Sequence, residues 1–268
     1  MSTEGRQHRE FVTLSPGVDV AGPMDGPPIV LLHAASFTRR SWLLPMRLLA
    51  QCYRVYAIDL PGHGECPDRE FDYERALRLI ETFLADVVQQ PALLVGISLG
   101  GCLAMEVAAR RADQVAGLVL TGSAFDPRGV IARIVLTGES LVFPRCERKL
   151  VENLHNAVRL RLPKDAADAI VEGGSWWLAA AQAVKQLRGR DFVASLKQYD
   201  GPVLILSGRR DWVHRTAERA FVRASGNATV ETIEGGSHVC ILDDPDAYAE
   251  AVDRFAATVV WKDTTPVP

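Results

Sequence analysis

A run of apolar residues, Ala92–Ile97, passes straight into Gly96-Ile97-Ser98-Leu99-Gly100-Gly101 and then into a helix-like stretch, Leu99–Arg110. A strand this uniformly apolar has both faces covered, which calls for helices above and below it. Gly-x-Ser-x-Gly between such a strand and a helix is the context in which the serine occupies a sharp, strained turn with its hydroxyl exposed. Gly96 and Gly100 carry no Cβ, so the chain can reverse and the helix can lie close to the strand. Ser98 is therefore a candidate nucleophile, the competing reading being a plain strand–turn–helix junction.

The same rhythm extends along the chain. Strand candidates at 11–14, 29–33, 53–58, Ala92–Ile97, Val115–Thr121, 203–207 and Ala228–Ile233 alternate with helix candidates at 73–89, Leu99–Arg110, 217–224 and 246–259. That alternation predicts an α/β fold with a mostly parallel central sheet flanked by helices. Asp72 stands where it can cap the helix from 73, and Pro245 marks the start of the last one. Between 126 and 197 the pattern turns helix-like without a strong strand, broken at Pro144, Pro163 and Gly173-Gly174. The chain thus divides into a core, 1–125 with 198–268, and a helical insertion, 126–197. At 268 residues, one large core with an insertion fits better than two equal domains. The insertion carries a net charge of +4 against −7 for the remainder, which reads first as solvated helix faces and second as an anion-attracting surface.

A serine alone is a poor nucleophile; it needs a base, and the base needs an orienting group. Two downstream segments offer them. The strand at 203–207 runs into Gly208-Arg209-Arg210-Asp211-Trp212, and Ala228–Ile233 runs into Glu234-Gly235-Gly236-Ser237-His238. Ser98, Asp211 and His238 each follow a predicted strand, and open parallel sheets collect their sites at the carboxyl ends of strands. His238 would take the Ser98 proton and deliver it to the leaving group, a double role that suits an imidazole. Asp211 would accept from the other ring nitrogen and hold the tautomer. Asp126, beyond Val115–Thr121, is the alternative acid, whereas Asp243 and Asp244 read as surface residues. His33, His63, His155 and His214 compete less well as the base, because none follows a late strand through a glycine-rich approach.

Four signals together make the chain resemble the α/β-hydrolase superfamily over nearly all its length. They are the strand ending Val30-Leu31-Leu32-His33, the loop Asp59-Leu60-Pro61-Gly62-His63-Gly64, the elbow around Ser98, and the strand-end acid and histidine. The order Ser, Asp, His is the order of that superfamily. The resemblance implies a serine-esterase-like enzyme with a helical cap at 126–197, and some of its members take the acid from the Asp126 position. It also implies an oxyanion hole built from the backbone N–H groups of Leu99 and Ala35. One departure stands out: the family's usual His-Gly is here His33-Ala34. A left-handed Ala34 would cost about 1 kcal/mol in strain; ordinary φ would cost nothing.

Around this centre, His33 and His63 read as braces for the loops. Phe37 and Trp42 are candidate pocket or core residues. Of the adjacent pair Trp176-Trp177, only one side chain can readily face a substrate, the alternative role for both being packing within the cap. Cys102, one turn beyond Ser98, reads as packing.

Composition narrows the rest. No apolar run approaches the ~20 residues of a membrane span, and the start of the chain lacks the apolar core of a signal peptide, so a cytoplasmic location is expected. The net charge of −3 gives no reason to expect nucleic acid. Five scattered cysteines without a C-x-x-C pair read as reduced thiols, and neither they nor the histidines have metal spacing. The expected partner is a small-molecule substrate, with no cofactor and no metal. The expected reaction is cleavage of an ester, lactone or thioester of a small to medium, partly apolar molecule through an acyl-enzyme. Two alternatives share the residues: C–C hydrolysis, perhydrolysis or cyclisation on the same fold, and a non-catalytic small-molecule receptor.

Overall fold

A computed structural model describes residues 12–261. Phe11, the expected start of the first strand, and the polar ends at 1–6 and 262–268 lie outside the described residues.

Eight strands form one sheet: β1 (Val12–Ser15), β2 (Val18–Ala21), β3 (Pro28–Leu32), β4 (Arg54–Ile58), β5 (Ala92–Ile97), β6 (Val115–Thr121), β7 (Val203–Gly208) and β8 (Ala228–Ile233). Their spatial order is β1-β2-β4-β3-β5-β6-β7-β8, parallel from β4 to β8, with β1 and β2 antiparallel at one edge. The order reverses beside β3 and β5, which is where an open sheet leaves a crevice for a ligand.

Alternation along the strands divides the core in two. Val30, Leu32 and Leu94 point to one face, and Ile29, Leu31, Leu93 and Val95 to the other. The second face is covered by α1 (Leu43–Leu49) with Trp42 and Met46, and by the last helix, Pro245–Ala256, with Tyr248 and Val252. The first face is covered by α2 (Tyr73–Phe83) and α3 (Leu99–Arg110), which contribute Tyr73, Leu77, Ile80, Leu103 and Met105. Each fully buried side chain of this size contributes about 1.5–3 kcal/mol relative to exposure. Asp72 caps α2 as expected, its side chain accepting from the Arg75 N–H at 2.8 Å. The helical stretch from 73 ends in a π-turn, Leu84–Val88, with Gln89 left-handed at φ 58°.

Strand β2 has no counterpart among the strands expected from sequence. Asp19 interrupts its apolar pattern, yet that carboxylate is buried and paired with Arg39 Nε and Arg40 Nη1, both at 3.1 Å. A buried charge is tolerable when it is paired, and the partners come from a different element.

Between β6 and β7 lie four helices: α4 (Val130–Arg161), α5 (Lys164–Gly173), α6 (Trp177–Leu187) and α7 (Phe192–Leu196). Breaks occur at Pro163 and Gly173-Gly174, but α4 runs through Pro144. Most of α4 around that proline is exposed, so water can satisfy the carbonyl that loses its backbone partner. The remaining helices are α8 (Glu218–Ala224), α9 (Cys240–Asp243) and α10 (Pro245–Ala256), with Asp244 capping α10 through the Ala247 N–H at 3.1 Å.

Candidate active site

Ser98 sits between β5 and α3 with φ 54° and ψ −113°, a conformation that costs a non-glycine residue roughly 1–3 kcal/mol. Close packing over-determines it. A Cβ on Gly100 would lie 2.1 Å from the Leu32 carbonyl oxygen, and one on Gly96 would lie 2.4 Å from the Gly100 carbonyl carbon. The Ser98 N–H is held by the Thr121 carbonyl at 2.7 Å, which ties the elbow to β6.

The loops after β7 and β8 are stitched together by backbone: the Arg209 N–H donates to the Ile233 carbonyl and the Arg210 N–H to the Gly236 carbonyl. This brings His238 Nδ1 to 2.7 Å from Asp211 Oδ2. Asp211 is buried and His238 is partly exposed, the arrangement expected when an acid orients a working imidazole. Asp126 is elsewhere engaged, its carboxylate gripped by Arg128 Nε at 2.9 Å and Nη2 at 3.0 Å.

Asp211 carries a second histidine that sequence reasoning passed over. His214 Nδ1 lies 2.7 Å from Asp211 Oδ1, and its ring stacks on that of His238 with centroids 3.9 Å apart. The one sequence signal was its spacing, three residues beyond Asp211 in the same loop. Burial alone would raise the Asp211 pKa, but hydrogen bonds from His214 and His238, and the charges they can carry, outweigh it and hold the carboxyl far below its usual range. A depressed folded pKa means that this stabilisation is complete above about pH 4 and is lost only as pH falls through the folded value.

Asp243 is also more than a surface residue. Its side chain is 6% exposed, and Oδ2 accepts from the Ser237 N–H at 2.6 Å while Oδ1 pairs with Arg161 at 3.1 Å, steadying the residue before His238. Asp244 is the α10 cap. The Asp243 contacts form only when the chain after β8 folds back, whereas the Asp244 cap is local to Pro245.

The Ala34–Ala35 loop lies beside the elbow. The residues with positive φ other than glycine are, among those described, Gln89 and Ser98, so Ala34 has ordinary backbone. The departure from His-Gly therefore carries no strain. His33 and His63 brace this loop. The Leu60 N–H donates to His33 Nε2 at 3.0 Å, and His33 Nδ1 reaches the Ala34 carbonyl at 2.8 Å. His63 Nε2 reaches the Ala35 carbonyl at 2.6 Å. Burial, the first cause for both rings, pushes their pKa values down, and His63 pushes that of His33 down further. Neither the Ala35 nor the Leu99 N–H has a partner among the described residues, and Leu99 opens α3, where the helix dipole favours developing negative charge.

A cavity of about 340 Å³ opens at this point. Ser98, Leu99, Ala35 and His238 line it together with Phe37, Phe125, Phe143, Leu154 and Trp177. Of the tryptophan pair, Trp177 faces the cavity and meets Phe143 edge to face at 5.0 Å. Trp176 does not line it: it is 37% exposed, and its indole N–H donates to the Gly173 carbonyl at 3.0 Å. Its backbone N–H instead anchors the insertion to the Ser36 carbonyl at 3.1 Å. Trp42 is fully buried in the core. Cys102 is buried beneath the elbow, where burial pushes its thiol pKa well up.

Gly122, just past β6, completes the frame. It has φ +56°, and a Cβ there would lie 2.7 Å from both Cε1 and Nδ1 of His238 and 3.2 Å from Asp211 Oδ2. Gly122→Ala should displace the imidazole and lower kcat by at least about 10²-fold, as expected when catalytic geometry shifts by an ångström. Steady-state rates on an ester, beside a circular dichroism spectrum showing a retained fold, would check this; unchanged kcat would refute it.

Asp211, His214 and His238 each offer one ligand atom within 4.8 Å of the others, the grouping a metal would need. The Nδ1 atom of each ring is engaged by one oxygen of the Asp211 carboxylate, so hydrogen bonding accounts for the closeness of the three groups. No described helix is long and apolar enough to cross a membrane.

Comparison with known proteins agrees with this architecture. Residues 29–251 match the alpha/beta hydrolase family. The chain is 29% identical over 260 residues to the pimeloyl-[acyl-carrier protein] methyl ester esterase of Xanthomonas axonopodis pv. citri, covering 90% of this chain and 99% of that one. It is 29% identical over 245 residues to the enzyme of the same name from Aeromonas salmonicida, covering 86% and 95%. In fold it resembles E-2-(acetamidomethylene)succinate hydrolase, with a TM-score of 0.75 at 21% identity over 92% of this chain and 100% of that one. It likewise resembles the enol-lactonase of Burkholderia xenovorans LB400, with a TM-score of 0.71 at 21% identity over 90% and 95%. With the family matched along most of its length, this chain belongs to the alpha/beta hydrolase family and is a hydrolase.

Proposed function

We propose that the protein is a serine hydrolase cleaving carboxylic esters of small to medium, partly apolar molecules, with Ser98, His238 and Asp211 as its triad. The observation that carries this reading is the strained Ser98 and the Asp211-held His238 opening into one apolar cavity. His238 takes the Ser98 proton as Oγ attacks the carbonyl, and returns it to the departing alcohol. The Ala35 and Leu99 N–H groups receive the oxyanion. Water, activated by the same imidazole, then releases the acid from the acyl-enzyme. His214 holds the second carboxylate oxygen, fixing the plane of Asp211 beneath His238.

Helices α4 to α7 serve as the cap at 126–197: α4 and α6 supply Leu136, Phe143, Leu154, Trp177 and Val184 to the cavity wall. Anchors from the core hold α6, the Phe71 N–H donating to Gln182 and the Tyr73 N–H to Gln186, both at 2.9 Å. The curated relatives are named for a methyl ester on a carrier-bound acyl chain, which supports an ester of a medium acyl chain as substrate here.

A fluorophosphonate probe, with peptide mapping, tests the nucleophile, and p-nitrophenyl esters of increasing acyl length test the cavity. Labelling of Ser98 is expected, with kcat/KM highest at intermediate chain length. An unlabelled Ser98 would overturn the hydrolase mechanism in favour of a ligand-binding role.

A further inference from the structure

The cavity contains a charge that the triad does not use. Glu139, on α4, lines it within electrostatic reach of His214, and among the described residues no arginine or lysine lines it. Its carboxylate makes no hydrogen bond or ion pair with any described residue, whereas Asp126, Asp168 and Asp191 elsewhere on the insertion are each paired. His214 is its electrostatic neighbour, but that ring is committed through Nδ1 to Asp211. Removing a carboxylate from water without a partner is unfavourable, and the group accordingly has its pKa pushed up by burial, with His214 opposing. Sharing the cavity are the rings of Phe125, Phe143 and Trp177.

Aromatic faces and a lone carboxylate act in the same direction on a ligand. Ring faces present negative quadrupole potential, and an alkylammonium group satisfies both them and the carboxylate, whereas a second carboxylate meets repulsion. The apolar wall still accommodates the methyl or methylene groups around the nitrogen.

We infer that Glu139, with the rings of Phe125, Phe143 and Trp177, forms a cation subsite, and that the enzyme favours esters whose acyl or alcohol part bears an ammonium group. This deepens the ester-hydrolase reading and rests on it. Esters ending in a free carboxylate are selected against at the same position.

The test compares butyrylcholine with 3,3-dimethylbutyl butyrate, which differ by a quaternary nitrogen in place of a quaternary carbon. In the native chain kcat/KM should favour the cationic ester by about 10-fold or more, and Glu139→Gln should reduce that ratio by about 10–50-fold through KM of the cationic ester. Glu139→Asp, which keeps the charge on a shorter arm, should retain part of the preference. Phe143→Leu should lower it by a smaller factor. Binding of tetramethylammonium, read by calorimetry on the full chain, separates this proposal from the hydrolase reading. Native binding that weakens at least about tenfold in Glu139→Gln supports the subsite even if Ser98 resists labelling. An absence of tetramethylammonium binding, an ester ratio unchanged by Glu139→Gln, or a preference for the neutral ester would overturn it.

Discussion

Ser98→Ala should lower kcat on any ester the protein hydrolyses by about 10⁵–10⁶-fold, because nucleophile and base act as a unit and only binding and oxyanion stabilisation remain. The melting temperature should barely move. Alanine keeps the Cβ and therefore the same strain at φ 54°, and the N–H still reaches the Thr121 carbonyl. The lost hydroxyl opens onto the cavity and leaves no buried void. Single-turnover and steady-state rates on protein purified from a host free of background esterase provide the measurement. Turnover of Ser98→Ala within tenfold of the native chain would rule out the acyl-enzyme route.

Asp211→Asn should cost about 10⁴-fold in kcat, the scale of loss when the acid of a serine triad becomes an amide. The physical reason is specific to this site. The native carboxylate accepts from Nδ1 of both His238 and His214, one on each oxygen. An amide offers one acceptor and one donor group, so it cannot receive both rings. If the NH₂ faces His238, the ring must present an unprotonated Nδ1 and carry its proton on Nε2, the tautomer that cannot take a proton from Ser98. If it faces His214, that ring must change tautomer and the plane of residue 211 loses its second anchor. Asp126→Asn, by contrast, should change kcat by less than about tenfold, since Asp126 is bound to Arg128 and not to a histidine. A reversal of the two results would move the acid to the loop after β6.

The charge step at Asp211 also shows where sequence reasoning ends. The elbow, the Asp211 and His238 loops and the parallel sheet were legible because each is a local pattern: an apolar run, a glycine pair, a polar strand end. Strand β2 was not, because Asp19 breaks the apolar alternation and its justification lies in Arg39 and Arg40. His214 was not, because its value depends on Asp211 having two oxygens aimed at two rings. Asp243 was not, because its partner Ser237 and the distant Arg161 meet it only after α4 and α9 have packed.

Local sequence thus determined the scaffold and its nucleophile, acid and base candidates, since backbone propensity and short-range packing suffice to place a strand-end residue at the mouth of a parallel sheet. Tertiary structure alone decided what surrounds them. Which tryptophan faces the cavity, that Ala34 needs no left-handed turn, that Gly122 must lack a Cβ, and that Glu139 stands unpaired among aromatic rings all depend on distances between segments far apart in the chain. Such distances follow from how the insertion packs on the core, and no spacing along a single strand or helix encodes them.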